Sequence, residues 1–221
     1  MTWDPWRREG LSTAQRYIVV EGLPGAGKTA LARALASALP GRLVEDPARQ
    51  NPFYDAYQKD PRGNAFGLQV FSLLARFRQQ QELAQGDLFG AGTVADYLFE
   101  RDRIFAHLIL GEAEVALYEQ LLKALAREPL AKPDLVVYLQ ASGEVLKRRC
   151  AREGAGPGLT AEAQLALGEA YNHYFFHYSA TPLLVVNTND LDLRQEGQDL
   201  GDLLGRILST HGGTQYYTPK K

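Results

Sequence analysis

Tyr17-Ile18-Val19-Val20-Glu21-Gly22-Leu23-Pro24-Gly25-Ala26-Gly27-Lys28-Thr29-Ala30-Leu31-Ala32-Arg33-Ala34-Leu35 carries three signals in succession. Tyr17 to Val20 is a short, mostly β-branched apolar run, which predicts a buried parallel strand. Gly22 to Thr29 is a full G-x-x-x-x-G-K-[ST] match, and after it Ala30, Leu31, Ala34, Leu35 and Ala38 recur at helical spacing. Strand, glycine loop and helix are the context in which this motif cradles a phosphate chain. The glycines let backbone N–H groups turn inward, and the helix N-terminus adds its partial positive charge. Gly22, Gly25, Ala26, Gly27, Lys28 and Thr29 are therefore the expected nucleoside triphosphate contacts. Lys28 is expected on the β/γ-phosphates and the Thr29 hydroxyl on Mg²⁺.

Working outward, further short strands are expected at Arg42–Glu45, Thr93–Ala95, Leu135–Leu139 and Pro182–Asn187. Helical periods fill the intervals, at Phe66–Ala84, Phe99–Leu110, Glu112–Ala126, Gly143–Arg152, Thr160–Tyr178 and Asp199–Leu208. Five apolar strands alternating with helices predict an α/β fold, a five-stranded parallel sheet covered on both faces. Ligands gather at the carboxyl ends of such strands, which points to Glu45, Asp96 and Gln140. The chain reads as a single domain over residues 1–221, with a tail from about 211 to 221 that looks loosely held.

Composition excludes several classes. With 221 residues, 45% hydrophobic and 23% charged, the chain has the make-up of an ordinary globular protein. A net charge of −2 offers no basic surface for nucleic acid. Cys150 is the sole cysteine, so neither an intrachain disulfide nor a multi-cysteine zinc site is available. No run is long enough to span a bilayer and the first residues lack the core of a signal peptide, so the expectation is a cytoplasmic protein without a membrane partner. Asn187-Thr188-Asn189-Asp190 lacks the lysine of a guanine-reading motif, which argues against a GTPase switch.

The order of these pieces resembles the deoxynucleoside kinase family, particularly its bacterial deoxyadenosine/deoxyguanosine kinase-like branch. The resemblance rests on the P-loop, on Glu45 before Asn51-Pro52-Phe53, on Gln69 with Arg76 seven residues later, on the Asp96 to Ala106 segment and on the arginine-rich helix near Arg148. It implies a P-loop kinase fold with a small helical lid over about 148–160, ATP and Mg²⁺ as cofactors, a deoxynucleoside acceptor and a homodimer. By resemblance Glu45 is the base that takes the 5′-hydroxyl proton, Asp96 assists Mg²⁺, and Gln69 pairs with the nucleobase. Arg76 with Asp102 reads an exocyclic amino group, which favours deoxyadenosine and deoxycytidine over thymidine. Tyr57 and Glu162 hold the sugar 3′-hydroxyl, Phe53 and Phe105 flank the base, and Arg148 and Arg152 clamp phosphates from the lid.

Two departures stand out. Where the family usually carries an acidic-Arg-Ser triplet, this chain reads Asp96-Tyr97-Leu98, and Arg101 and Arg103 are the two candidates to replace the missing charge. The lid also lacks one arginine of the usual set, having Gly154-Ala155-Gly156-Pro157 there. Two other readings compete: a nucleoside-monophosphate kinase such as thymidylate kinase, against which the acidic Glu45-Asp46 pair argues, and a non-enzymatic nucleotide-binding switch.

Overall fold

A computed structural model describes residues 16–39, 41–85, 92–153, 161–191, 193 and 198–219. Six strands make one sheet: β1 (Tyr17–Gly22), β2 (Gly41–Val44), β3 (Gly92–Ala95), β4 (Leu135–Gln140), β5 (Leu183–Asn187) and β6 (Thr214–Tyr217). Their spatial order is β2-β3-β1-β4-β5-β6, and each neighbouring pair is parallel. The helices are α1 (Lys28–Ala38), α2 (Tyr54–Lys59), α3 (Pro61–Ala84), α4 (Arg101–Ile109), α5 (Glu112–Leu125), α6 (Gly143–Glu153), α7 (Ala161–Phe176) and α8 (Gln198–Ser209).

Side chains alternate across a strand, so a sheet buried on both sides sorts each apolar run into two cores. Ile18, Val20, Leu135, Val137, Leu139, Leu184 and Val186 pack with Leu31 and Leu35 of α1 and Leu203 and Ile207 of α8. Val19, Val136, Tyr138, Leu183 and Val185 face the other way, onto Leu167, Tyr171 and Phe175 of α7. Tyr138 stacks on Phe175 with ring centroids 3.9 Å apart. Beyond that second core, Leu73 of α3, Ala106 of α4 and Tyr118 of α5 form a smaller cluster that binds these helices together.

The sequence predicts five strands, and the structure has a sixth inside the expected loose tail. β6 pairs with β5 from Leu183↔Thr214 to Val186↔Tyr217. It is an edge strand whose residues alternate between exposed and half-buried, so it needs no apolar run and leaves little trace in hydropathy. α3 likewise begins earlier than its apolar period suggests. Asp60 accepts from the Gly63 N–H and Pro61 occupies the first turn, so Asp60-Pro61 starts the helix.

The turn out of β1 is held by a buried charge. Glu21 is fully buried, and its carboxylate accepts the Gly22 N–H at 2.8 Å, the Leu98 N–H at 2.8 Å and the Tyr171 hydroxyl at 3.4 Å. It thereby ties the phosphate loop to the segment after β3 and to α7. Glu21→Gln puts an amide N–H₂ against one of those backbone donors and leaves it without an acceptor. The expected loss is about 1–3 kcal/mol of folding stability. Chemical denaturation of the two proteins checks this, and an unchanged midpoint with unchanged m-value would refute it.

Candidate active site

Between β1 and α1 the chain makes the turn that the motif predicts. Gly25 (φ 80°) and Gly27 (φ 98°) adopt left-handed conformations that side chains rarely tolerate. A Cβ on Gly25 would stand 2.9 Å from Cys150 Sγ of α6, and one on Gly27 would stand 2.8 Å from Leu193 Cδ1. Helix α6 and the segment after β5 thus press the loop from outside. Gly27 caps α1 without a side-chain bond, and no acid sits in the first turn of that helix, so its N–H groups and dipole remain available to an anion. Lys28 lies back along the loop, with Nζ 2.8 Å from the Gly22 carbonyl and 3.2 Å from that of Leu23.

Register then gathers the strand ends. Val44 of β2 pairs with Ala95 of β3, and Val19 of β1 pairs with the same residue, so β2 and β3 finish together beside β1, which runs on to Gly22. Asp96 accepts the Thr29 hydroxyl at 2.7 Å on one oxygen and the Asp46 N–H at 2.7 Å on the other. The Asp46 carboxylate receives Arg76 as a fork, Nε to Oδ1 and Nη2 to Oδ2 at 3.0 Å each, and Arg101 Nη1 at 2.9 Å. Arg76 Nη1 also pairs with Asp102 Oδ1, while Tyr118 donates to Asp102 Oδ2 at 2.9 Å. Gln69 donates its amide to the Asp102 carbonyl at 2.8 Å. A continuous polar chain therefore runs from Thr29 in the loop, through Asp96, Asp46, Arg76 and Asp102, to Tyr118 on α5.

Burial gives this chain its electrostatic character. Arg76 and Asp102 are buried, and Asp46 retains only 11% side-chain exposure. Burial works against the Arg76 charge, yet Asp46 and Asp102 more than offset it and raise its pKa. Burial pushes the Asp102 carboxyl up, opposed by Arg76 and by the Tyr118 hydroxyl. All its partners are donors, so the carboxylate is the form that fits them. The Lys28 ammonium is brought down to about 8, first by burial and then by the Arg101 charge, against the pull of Glu21, Asp96 and Asp46.

The expected site residues fall into two groups. Lys28, Thr29, Asp96, Gln69, Arg76 and Asp102 are brought together as described. Glu45 is not with them: its carboxylate pairs with Arg33 of α1 at 2.6 Å, with the two side chains 39% and 59% exposed. The reason is the alternation of extended chain. Val44 packs in the core shared with α7, so Asp46, two residues on, turns to the same side of the sheet and meets α3. Glu45 turns to the α1 side, and Asp46 joins the buried cluster.

Arg148 and Arg152 are exposed on α6, whereas Arg149 points inward, donating to the Thr188 carbonyl at 2.5 Å and the Leu191 carbonyl at 2.8 Å. Residues 154–160, part of the expected lid, lie outside the described residues. Tyr57 is buried on α2, and Glu162 is exposed at the start of α7. Phe53 rests against Gly67 of α3, and Phe105 sits edge-on to Tyr171 with centroids 6.5 Å apart. Of the two arginines offered in place of Tyr97, Arg103 is 60% exposed and bound to Glu119, while Arg101 is inside the cluster. Tyr97 itself is fully buried, donating to Gln79 at 2.9 Å and accepting from Gln80 at 3.3 Å. Asp46, Glu21 and Tyr118 were missed. The carboxylate of Asp46 directly before Pro47, two residues past a buried strand valine, is the signal that could have found the first.

Comparisons with known proteins bear on the same region. A family described as deoxynucleoside kinase matches residues 18–211. The chain is similar to a deoxyadenosine/deoxycytidine kinase of Bacillus subtilis, at 24% identity over 87% of this chain and 91% of that one. It is 27% identical to a deoxyguanosine kinase of Lactobacillus johnsonii, over 87% of this chain and 91% of the relative. The structure of a deoxyadenosine kinase from M. mycoides with bound dATP superposes with a TM-score of 0.74 at 21% identity, covering 88% of this chain and all (100%) of that one.

The expected contact of Lys28 with phosphate predicts a nucleotide affinity that depends on pH. An anionic phosphate favours the charged ammonium, so it raises the lysine pKa on binding, and affinity is full below about 8 and lost as pH rises through that value. The dissociation constant for ATP should climb by up to roughly tenfold per pH unit above that point. In Lys28→Arg, whose guanidinium does not deprotonate in this range, the climb should disappear. Equilibrium titrations across the interval decide it, and equal slopes in the two proteins would refute the assignment.

Proposed function

The chain belongs to the deoxynucleoside kinase family and is an enzyme that moves a phosphoryl group from ATP to a deoxynucleoside; from that premise we propose how its residues divide the work. The acceptor is the 5′-hydroxyl, and deoxyadenosine and deoxycytidine are preferred to thymidine, since their bases carry an exocyclic amino group where thymine carries a carbonyl. The observation that carries this is the unbroken polar chain from the loop hydroxyl of Thr29 to the buried Asp102 carboxylate, which puts phosphate-side and base-side groups on one rigid frame.

Gly22 to Thr29 hold the triphosphate through backbone N–H groups and the Lys28 ammonium. Thr29 and Asp96 would hold Mg²⁺. Their hydroxyl and carboxylate oxygens suit that hard cation, which takes one or two protein oxygens and leaves its remaining positions to phosphate and water. When bound, the ion neutralises charge on the β- and γ-phosphates. Asp46 takes the role that the sequence reading assigned to Glu45: it orients the 5′-hydroxyl and receives its proton. The bond from the 5′-oxygen to the γ-phosphorus forms as the bridging P–O bond breaks, and ADP leaves with that electron pair. Arg76 presents Asp102, whose two oxygens each keep a second lone pair for an amino donor on the base. Gln69, fixed through its amide N–H, offers its carbonyl oxygen beside it. Tyr57 and Glu162 are assigned to the sugar, and Arg148 and Arg152 to phosphate on lid closure.

The same reading places the enzyme in the cytoplasm, in a route that reuses preformed deoxynucleosides. No described helix is long and apolar enough to cross a membrane. A homodimer is part of it as well, and the exposed Leu74 of α3 and Leu117 of α5 supply apolar surface for one.

Turnover with ATP and each of the four deoxynucleosides tests the substrate assignment. Deoxyadenosine and deoxycytidine should exceed thymidine in kcat/KM by roughly 5- to 150-fold, the cost of facing a carbonyl with a buried carboxylate. Thymidine as the best substrate would overturn it. Two substitutions separate the neighbouring acids. Asp46→Asn should lower kcat by roughly 10²-fold or more with a smaller change in KM. Glu45→Gln should leave kcat within about twofold, as expected for a surface ion pair. The reverse ranking would return the proton to Glu45.

A further inference from the structure

Among the described residues, one buried side-chain polar atom has no hydrogen-bond partner, and it is Arg101 Nε. The rest of that guanidinium is fixed. Its Nη1 is 2.9 Å from Asp46 Oδ2, and its plane lies over the Phe105 ring with 5.1 Å from Cζ to the centroid. Arg101 opens α4, directly past the segment that leaves β3, and its charge is felt by Tyr171, Glu21, Asp46 and Asp96, the last three at the ends of β1, β2 and β3. Its charge also disfavours the charged form of Lys28. Asp46, which holds Arg101, donates its backbone N–H to Asp96, and Asp96 accepts the Thr29 hydroxyl, so Arg101 is tied to the phosphate loop and carries an N–H that no described protein acceptor meets. Native structures seldom leave a buried donor orphaned without a use for it. The acceptor that suits such a charged N–H best is an anionic oxygen.

We propose that Arg101 is a catalytic residue that grips the phosphoryl group in transit, donating Nε–H to one of its oxygens while Nη1 stays anchored on Asp46. The anchor matters because Asp46 also faces the attacking hydroxyl, so one carboxylate sets the positions of both the cation and the nucleophile. As the 5′-oxygen closes on phosphorus and the bond to ADP opens, charge builds on the equatorial oxygens, and a donor already in place stabilises it without rearranging. Other cations do not fill this role. Arg103 is bound to Glu119 at the surface, Arg76 spends its fork on Asp46 and its remaining nitrogen on Asp102, and Arg148 and Arg152 are exposed on α6. Tyr97 is neutral and bonded to Gln79 and Gln80.

The inference rests on the kinase reading, and the test keeps the two apart. Wild type, Arg101→Gln, Arg101→Lys and the surface control Arg103→Gln are compared in turnover of deoxyadenosine with ATP, with direct titrations of ADP alone and of ADP plus aluminium fluoride and deoxyadenosine, a mimic of the phosphoryl group in transit. Arg101→Gln should lose roughly 10²–10³-fold in kcat with little change in KM, and a comparable factor in affinity for the mimic while ADP alone binds as before. Arg101→Lys, which keeps the charge and can keep the Asp46 pair but has no N–H at the Nε position, should lose kcat and mimic affinity together to a lesser extent, and it decides the matter if the glutamine variant does not fold. Arg103→Gln should match wild type. Wild type that makes no deoxynucleoside monophosphate overturns the kinase reading and this inference with it. Wild type that does so, with Arg101 variants within about threefold of it in kcat, overturns the role of Arg101 alone, as does a loss shared equally by ADP and the mimic.

Discussion

The Asp46 carboxylate is the point at which the structure's separate parts are made to agree. It lies just past β2, takes the guanidinium of Arg76 from α3 as a fork and that of Arg101 from α4 on one oxygen, and lends its N–H to Asp96 beyond β3. Two strands and two helices meet at one residue, through its carboxylate and its backbone N–H. Placing such charges out of water is costly, and the attraction between them recovers that cost only when the geometry is close and the remaining donors find partners. Here the fork and the third contact supply that geometry. Breaking such a buried arrangement by removing one partner typically costs about 3–5 kcal/mol, because the survivor is left charged and unpaired. A cluster with that penalty has one arrangement in which it is satisfied, and so it positions as much as it stabilises.

Apolar packing prepares the ground for it. Sorting of alternate strand residues into two cores fixes the face on which every strand-end side chain emerges. That is why Asp46 reaches α3 and Glu45 reaches α1, although the two are adjacent. The small cluster of Leu73, Ala106 and Tyr118 then sets α3, α4 and α5 against one another. Tyr118 belongs to both systems, with its ring in that apolar cluster and its hydroxyl on Asp102. The Asp102 end of the polar chain is thus seated by packing as well as by hydrogen bonds.

What could be read from the chain alone follows from how local each signal is. The phosphate loop was legible in full because strand, glycines and helix are contiguous, and β3, β4 and β5 were legible because both their faces are buried. Arg76 and Asp102 could be paired at a distance of 26 residues only through the resemblance, since nothing local links them. Glu45, expected among the strand-end groups, pairs with Arg33 while its neighbour Asp46 joins the buried cluster, since one residue is enough to reverse the face of an extended chain. The lid helix shows the same limit in another period. Lys147, Arg148, Arg149 and Arg152 look alike in composition, yet Arg149 is one turn past buried Val145 and therefore faces inward to Thr188 and Leu191. β6 escaped because an edge strand satisfies one neighbour and hides nothing.

Charge balance within the site explains why composition was silent about phosphate. Glu21, Asp46, Asp96 and Asp102 face Lys28, Arg76 and Arg101, so the side chains around the loop carry no surplus of positive charge. Attraction for an anion comes instead from directed dipoles, the loop N–H groups and the start of α1, whose first turn carries no acid. The carboxylates serve a different end: each fixes a cation in one orientation. Asp46 shows how far that goes, since it can hold Arg101 by Nη1 while its reach to the rest of the guanidinium ends there. The side of Arg101 that stays unmatched is thereby decided by the acid that binds the other side, and a weakly charged protein acquires a strongly directional place for a phosphoryl oxygen.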